Sequence, residues 1–329
     1  MKKAFLFSCF LILCLPLMAQ HSTASYDVLR LPVSSHVSAL GGDNITLIED
    51  NPAIGWTKPA LLSSVSDNSL GLDFMTYGHK TQFMGAQFVK GFGNRHTAAI
   101  GVQMMNYGSM EETDELGNVV GTVHAKDIVV GLGYSYVLSE RFVGGASLKM
   151  TSQSYGGYNS FALGVDVGLN YYDEDKDFSA SLTFRNAGAQ VKSFYDGEML
   201  HLPFMLQLGV SKGFAHLPIR FHVLATDLTR WKTSDYYHPS DVQKIKAGQM
   251  ILNHLILGLD IMPTKNFYLS VGYNFRRGYE LKSADASKFA GLTCGAGISV
   301  KKFKIGLSYA RYHVSTNGFH VNLAYSFSK

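Results

Sequence analysis

The carboxyl-terminal part of the chain alternates apolar with polar or small side chains at a period of two. In FHVNLAYSF every second residue is large and apolar, as in Phe319, Val321, Leu323, Tyr325 and Phe327. KFKIGLSYAR and NFYLSVGYNF repeat the pattern. Successive side chains of a β-strand point to opposite faces, so each stretch predicts a strand with one apolar face.

The same template predicts fourteen strands along the chain. They begin near residues 69, 81, 96, 126, 141, 160, 176, 203, 217, 252, 265, 288, 301 and 317. Most are about nine to thirteen residues long, which is enough to cross a bilayer at a tilt. The strand length alone already exceeds that of a typical soluble strand.

Short and long connections alternate between these strands. LSE and PTK are short, whereas residues 107–125 and 229–251 are long and polar. This alternation is typical of an outer-membrane barrel with short periplasmic turns and long extracellular loops. A soluble β-sandwich, the alternative, has shorter strands and no such alternation. The sequence therefore predicts an all-β fold, an antiparallel transmembrane β-barrel of about 14 strands, over residues 67–329.

The first twenty residues have the features of a secretory signal peptide. Lys2 and Lys3 precede an apolar run, which ends in small or polar residues around Ala19. Cleavage at Cys14 as a lipoprotein is the weaker alternative, because Leu13 stands where a small residue is expected. Without the signal, Cys294 is the only cysteine and has no internal disulfide partner. Export and the predicted barrel together place the chain in the cell outer membrane as an integral, multi-pass protein.

Charge and hydropathy exclude two other classes of protein. The chain has 29 basic and 25 acidic residues, scattered along its length, and no basic block that would indicate nucleic-acid binding. After the signal there is no second apolar run of about eighteen residues, so no transmembrane helix is predicted. Outer-membrane lipid is the expected surrounding.

Residues 21–66 precede the first strand and have little periodicity. They are punctuated by proline and contain apolar residues such as Leu40, Ile54 and Trp56. A fourteen-stranded barrel has a lumen too wide to be filled by small inward side chains alone. We therefore expect these residues to form an N-terminal plug in the periplasmic mouth, with a flexible periplasmic lead as the alternative.

This region also resembles a known family. LPVSSHVSALGGDNITLIEDNPAIGWTKPALLS is similar to the amino-terminal segment of the PorQ proteins, relatives of PorV in the FadL-like family of fourteen-stranded outer-membrane barrels. The plug motif residues that carry the resemblance are Gly41, Gly42, Asp50, Asn51, Pro52, Pro59 and Ala60. Lys58 departs from the pattern, since asparagine is usual there. NYGSMEETDELGNVVGTVHAKD and RNAGAQ extend the similarity along the chain.

The resemblance implies a non-enzymatic component of the type IX secretion system of Bacteroidetes. Such a barrel would work with PorZ-like, PorU-like and PorV-like proteins in a surface complex that processes secreted cargo and attaches it to lipopolysaccharide. Aromatic residues among charges suit a protein contact, and Trp231, Tyr236 and Tyr237 make residues 229–251 the candidate partner-contact loop.

The alternative is a FadL-like channel for uptake of a hydrophobic small molecule. The inward positions of the predicted strands are mainly Gly, Ser, Ala, Asn and Lys, which fit an apolar ligand poorly.

No motif predicts catalysis, a cofactor or a metal site. The chain has no HExxH, GxSxG or phosphate-binding loop. EETDELGN carries the oxygen donors Glu111, Glu112, Asp114, Glu115 and Asn118, but their spacing does not match a calcium loop and favours a solvated turn. Ser308 and His320 lie on neighbouring predicted strands, which leaves an outer-membrane hydrolase as a third alternative. We therefore expect no enzymatic activity.

Overall fold

The computed structural model of the chain describes residues 26–77, 80–195, 199–214, 216–237, 244–283, 290–312 and 317–328. The expected signal peptide and its cleavage site lie outside these residues. Fourteen antiparallel strands form one closed barrel, in which each strand pairs with its neighbours in the chain and β1 pairs with β14. The strands are β1 Ser69–Thr76, β2 Gln82–Phe92, β3 His96–Thr113, β4 Val119–Val137, β5 Phe142–Tyr155, β6 Tyr158–Asp173, β7 Phe178–Lys192, β8 Met205–Phe214, β9 Leu217–Ala225, β10 Leu255–Thr264, β11 Phe267–Asn274, β12 Leu292–Val300, β13 Phe303–Ala310 and β14 Gly318–Ser326.

Helical segments lie inside the barrel and at one of its ends. In the described part of the chain, three are α-helices: α1 Ser35–Ala39, α2 Ala247–Asn253 and α3 Phe275–Ser283. Four more in that part are short 3₁₀ helices: Asp27–Arg30, Pro52–Trp56, Pro59–Ser64 and Thr233–Asp235. We call the two ends of the barrel the short-turn end and the long-loop end, after their connections.

Strand register sorts the side chains between lumen and outer surface. In the β13–β14 pair, Leu307 lies opposite Val321 on the outside, and Ser308 lies opposite His320 on the inside. Closure pairs the backbone of β1 with that of β14, so the sheet has no free edge within the wall. A bilayer requires this of any sheet that crosses it, because hydrocarbon offers no hydrogen bonds to unpaired backbone groups.

The outer surface is an apolar belt bordered by aromatic side chains. Exposed Leu, Val, Ile and Phe side chains cover the middle of the strands. Phe142 packs against Tyr171 near the short-turn end, and Tyr309 packs against Phe319 near the long-loop end. Such girdles mark the two membrane interfaces. Among the residues described, no helix is long and apolar enough to cross a membrane.

The predicted fourteen-stranded antiparallel barrel is confirmed, with differences at the long-loop end. β4 begins at Val119 rather than near residue 126, and β3 continues to Thr113, so most of the expected loop 107–125 is a β-hairpin. The connection between β5 and β6, at the same end, is a two-residue turn at Gly156 and Gly157. The strands continue because Val119, Val120 and Val123 favour extended backbone.

Residues 26–66, which we call the plug, lie inside the barrel. Tyr26 shares a hydrogen bond with Ser160, close to the long-loop end. Val65 packs against Val89, close to the short-turn end. The segment therefore runs along the lumen, further than the periplasmic mouth where we expected it.

Candidate functional site: the plugged lumen

Two glycines let the plug turn where it touches the wall. Gly41 and Gly42 follow α1 with φ values of 96° and 91°, in the left-handed region that other residues seldom adopt. The Gly41 amide donates to Thr293 Oγ1 at 2.9 Å, and its carbonyl accepts from Asn274 Nδ2 at 3.1 Å. This part of the motif thus fixes the end of α1 to β11 and β12.

The acidic part of the motif binds the plug to the neighbouring strands β13 and β14. Asp50 accepts hydrogen bonds from the amide and hydroxyl of Ser66, both at 2.6 Å, and pairs with Lys304 Nζ at 2.6 Å. Burial raises the pKa of Asp50, but these partners lower it more, so the carboxyl is held below its ordinary range. Asn51 Nδ2 donates to Asn322 Oδ1 at 2.7 Å.

Prolines of the plug pack on glycines of the wall. Pro52 lies against Gly71, where an added Cβ would meet the proline ring at 3.1 Å. At Gly145 an added Cβ would lie 2.4 Å from the Pro59 carbonyl carbon and 2.5 Å from the Ala60 amide nitrogen, so the plug backbone would have to shift. Ala60 lies at an ordinary 3.6 Å from the corresponding point of Gly168. These wall glycines explain why small inward residues coexist with a filled lumen.

A buried charged cluster joins the plug to β7 and β8. Asp43 Oδ2 accepts from Arg185 Nη1 at 2.9 Å and from Gln207 Nε2 at 2.7 Å, and Asp43 Oδ1 lies 3.5 Å from Lys58 Nζ. Burial raises the pKa of Asp43, but the charges of Arg185 and Lys58 outweigh it and lower that pKa. Burial lowers the pKa of Lys58 to about 8, against the attraction of Asp43. Sequence reasoning noted Lys58 only as a departure from the PorQ pattern.

His36 forms a second charged contact, between the plug and β10. Its Nδ1 lies 3.0 Å from Glu49 Oε2, its Nε2 lies 3.0 Å from Asp260 Oδ1, and its ring stacks on Tyr268 at 3.7 Å. Burial lowers the pKa of His36, but the attraction of the two carboxylates is the larger effect and raises that pKa to about 10. The imidazolium therefore donates to both carboxylates and links the plug to β10. Single-sequence reasoning had no signal for this contact.

The third charged contact closes the long-loop end. Asp227, which follows β9, accepts from Arg276 Nη1 at 2.7 Å and from Arg30 Nη2 at 3.3 Å. Burial raises the pKa of Asp227, but the neighbouring arginine charges lower it more. The start of the plug is thus bound to α3 and to the loop after β9.

An apolar cluster fills the lumen between these contacts. Tyr26, Val28 and Leu29 of the plug are at most 3% exposed and pack with inward side chains of the wall, among them Met75, Phe83, Met105 and Val129, and with Leu202 of the connection before β8. We had expected small or polar inward residues, and near the long-loop end this expectation is wrong. The wall there would accept apolar groups, and in this structure the plug supplies them.

The candidate partner-contact residues divide into buried and exposed ones. Tyr236 is 4% exposed, and its hydroxyl donates to the Arg230 carbonyl at 2.8 Å. Trp231 and Tyr237 are 51% and 58% exposed, although Trp231 stacks on His254. Only Trp231 and Tyr237 are therefore available to a partner.

The acidic turn after β3 uses its carboxylate internally. Asp114 Oδ1 accepts from the amides of Leu116 and Asn118 at 2.9 and 2.8 Å. Hydrogen bonds from Asn118 lower the pKa of Asp114. In the described residues, no group of three or more His, Cys, Asp or Glu side chains is placed to hold a metal ion.

Ser308 and His320 lie directly opposite each other inside the barrel. His320 Nε2 lies 3.2 Å from Asp73 Oδ1, but neither His320 Nδ1 nor Ser308 Oγ has a hydrogen-bond partner among the described residues. The nucleophile–base hydrogen bond that a serine hydrolase uses is not formed between them.

Comparison with known proteins identifies the fold. No family model matches the chain, and no curated protein matches it. Three solved structures cover nearly all of it at low identity. The toluene transporter TbuX of Ralstonia pickettii has 14% identity and a TM-score of 0.55, over 90% of this chain and 97% of its own. A Pseudomonas aeruginosa FadL homologue has 10% identity and a TM-score of 0.54, over 91% and 100%. The CymD monoaromatic hydrocarbon channel has 13% identity and a TM-score of 0.53, over 91% and 99%. The chain therefore has the fold of the FadL-like fourteen-stranded barrels.

Proposed function

We propose that this chain is a sealed, non-enzymatic barrel of the outer membrane that anchors a surface complex of the type IX secretion system. Its partners would be PorZ-like, PorU-like and PorV-like proteins, and the complex would process cargo and attach it to lipopolysaccharide. The observation that carries the proposal is the plug, which is bound to the wall by charged contacts on several sides.

These contacts make displacement of the plug costly. Arg185 of the wall and Lys58 of the plug are each 2% exposed and share Asp43 as counter-ion. Moving the plug would break the ion pair between Arg185 and Asp43, and a charge that loses its partner while it is still buried costs about 3–5 kcal/mol. His36, Asp50 and Arg30 each add a contact at a different strand or loop. Such a lumen suits an anchor better than a pore.

The sequence resemblance supplies the second support. The plug motif residues that resemble the PorQ proteins all lie against the wall or shape the plug where it touches the wall. By the usual orientation of such barrels, the long-loop end faces the cell exterior. Trp231 and Tyr237 are exposed at that end, where surface partners would meet the barrel.

A second candidate function is uptake of a hydrophobic small molecule. The solved structures favour it, since TbuX is a toluene transporter and CymD is a monoaromatic hydrocarbon channel. The apolar cluster around Phe83 and Met105 also supports it. For this function the first residues of the plug would have to leave that cluster and give their place to the ligand.

Affinity purification from detergent-solubilised outer membranes, with mass spectrometry, separates the two candidates. Recovery of PorZ-like and PorU-like proteins with the wild type supports the anchor. Trp231→Ala combined with Tyr237→Ala should reduce that recovery, whereas Tyr236→Phe is the matched control for an internal aromatic. A barrel recovered alone after cross-linking, together with saturable binding of radiolabelled toluene, would refute the anchor and support uptake.

A further inference from the structure

β3 and β4 extend beyond every other strand of the wall described here. β2 pairs with β3 only as far as Gln82 opposite Asn106, and β5 pairs with β4 only as far as Tyr155 opposite Ala125. Beyond these points the two strands pair only with each other, up to the turn at residues 114–118. We call residues 108–124 the β3–β4 ribbon. It projects from the long-loop end, and beyond these points no other described strand pairs with either of its edges, which we call free.

The β4 edge of the ribbon has the composition of a strand that pairs with another. Val119, Val120, Gly121, Thr122 and Val123 form a run of β-branched residues around one glycine, with Val119 and Val120 about 60% exposed. β-Branched residues favour extended pairing. Soluble proteins protect such edges with lysine, proline or a covering element, and lysine and proline do not occur in this run.

The backbone direction at this edge follows from one hydrogen bond. The Gly156 amide donates to the His124 carbonyl at 3.3 Å, so the backbone groups of His124 face β5. Alternate residues of a strand face the same side, so the amide and carbonyl of Thr122 face the free edge. Thr122 pairs with Glu111 across the ribbon. The backbone amide and carbonyl of Glu111 therefore face the opposite free edge, on the β3 side.

There is space beside this edge for a further strand. The turn after β5 consists of Gly156 and Gly157, and an added Cβ on Gly157 would meet nothing within 4 Å. A recess of about 570 Å³ lies at the foot of the ribbon and is lined by residues of β3, β4 and the turn after β5, among them Glu112, Thr122, His124, Lys126 and the two glycines. Six residues of β4, from Val119 to His124, offer about 20 Å of edge.

Charge selects the kind of partner. The ribbon contains Glu111, Glu112, Asp114 and Glu115 and has neither lysine nor arginine. A second copy of the chain would bring the same negative charge, so pairing of two ribbons is disfavoured. We infer that the β4 edge, from Val119 to His124, binds an extended, positively charged segment of a partner protein, which adds to the ribbon as a third strand. The inference rests on the proposed function for the existence of such a surface partner, and strand addition is a common mode of peptide recognition.

The test uses a defined probe rather than the native complex. A fluorescent ten-residue peptide of alternating valine and lysine is titrated against the purified barrel in detergent, with a valine–glutamate peptide as the charge control. The wild type should bind the lysine peptide, and binding should weaken at high salt. Thr122→Pro removes the amide that faces the free edge and should weaken binding at least tenfold. Thr122→Val keeps that amide and should bind within about twofold of the wild type.

The opposite edge provides the matched control. Glu111→Pro removes an amide on the β3 edge, and Glu111→Gln corrects for the lost charge. Binding within about threefold for both variants supports the β4 edge. Equal binding by Thr122→Pro and the wild type, or loss of binding only in Glu111→Pro, would overturn the assignment. A wild-type dimer that Thr122→Pro converts to a monomer would show that the edge pairs with a second copy instead. Because the peptide assay requires no secretion protein, its failure is distinguishable from failure of the proposed function.

Discussion

Replacing Asp43 by asparagine tests the charged connection between the plug and the wall. The amide side chain has nearly the same shape and still accepts a hydrogen bond from Arg185 Nη1, now 2.9 Å from the carboxylate. The charge alone is removed. Arg185 and Lys58, both 2% exposed, then share a buried site without their counter-ion.

The expected loss follows from the burial of these two cations. Breaking a buried ion pair by removing one partner costs about 3–5 kcal/mol. The Asp43 side chain is 18% exposed, and Gln207 remains as a neutral partner, so the lower end applies. A loss of about 3 kcal/mol in the free energy of plug opening corresponds to an opening constant about a hundredfold larger.

Hydrogen exchange with mass spectrometry measures this constant in detergent. Peptides from residues 34–66 should exchange about a hundredfold faster in Asp43→Asn than in the wild type, whereas peptides from the strands remain unchanged. Asp114→Asn, in an exposed turn, is the control and should leave plug exchange unaltered. A change below threefold in Asp43→Asn would refute the argument that this ion pair holds the plug.

Other perturbations of the plug and the surface have equally definite outcomes. The pKa of His36 is raised to about 10 from 6.5, so its contribution to plug docking is complete below about pH 6.5 and is lost as pH rises toward 10. Between pH 6.5 and 7.5, below the pKa of about 8 at Lys58, docking should weaken by about 1 kcal/mol in exchange corrected for intrinsic rates. His36→Gln should remove this dependence, and an equal dependence in the wild type and the variant would contradict the assignment. Gly145→Ala should displace the plug backbone and increase cleavage of the plug by added protease. Gly168→Ala, where an added Cβ meets only ordinary contacts, should not, and equal cleavage of the two variants would count against the close fit at Gly145. Trp231→Ala should leave the heat-modifiable gel shift of the barrel intact, because its ring lies on an exposed loop, and a lost shift would show a structural role.

The barrel was predictable because its periodicity has one physical cause. Outward positions must be apolar to face lipid, so Leu307 and Val321 signal their strands without knowledge of any partner. The predicted start of β4, near residue 126, is too late because the alternation of apolar and polar residues marks only the part of a strand that faces lipid. Val119 continues the strand beyond the membrane, where pairing with β3 replaces lipid as the reason for extended structure.

The contacts of the plug could not be predicted from period or composition. Asp43 and Arg185 are 142 residues apart, and only the path of the plug through the lumen brings them together. The same holds for His36 and Asp260, 224 residues apart. Inward apolar residues such as Phe83 could not be predicted, because the alternation leads one to expect small or polar residues at inward positions. Their burial is explained only by the plug residues that pack on them.

Conductance of the purified wild-type barrel in planar lipid bilayers tests the central claim most directly. A plug bound to the wall by buried charges predicts insertion without a steady ion current at neutral pH. Insertion can be verified independently by the heat-modifiable gel shift of the reconstituted protein. A steady, single-channel conductance in the wild type would contradict a sealed anchor and would favour a channel.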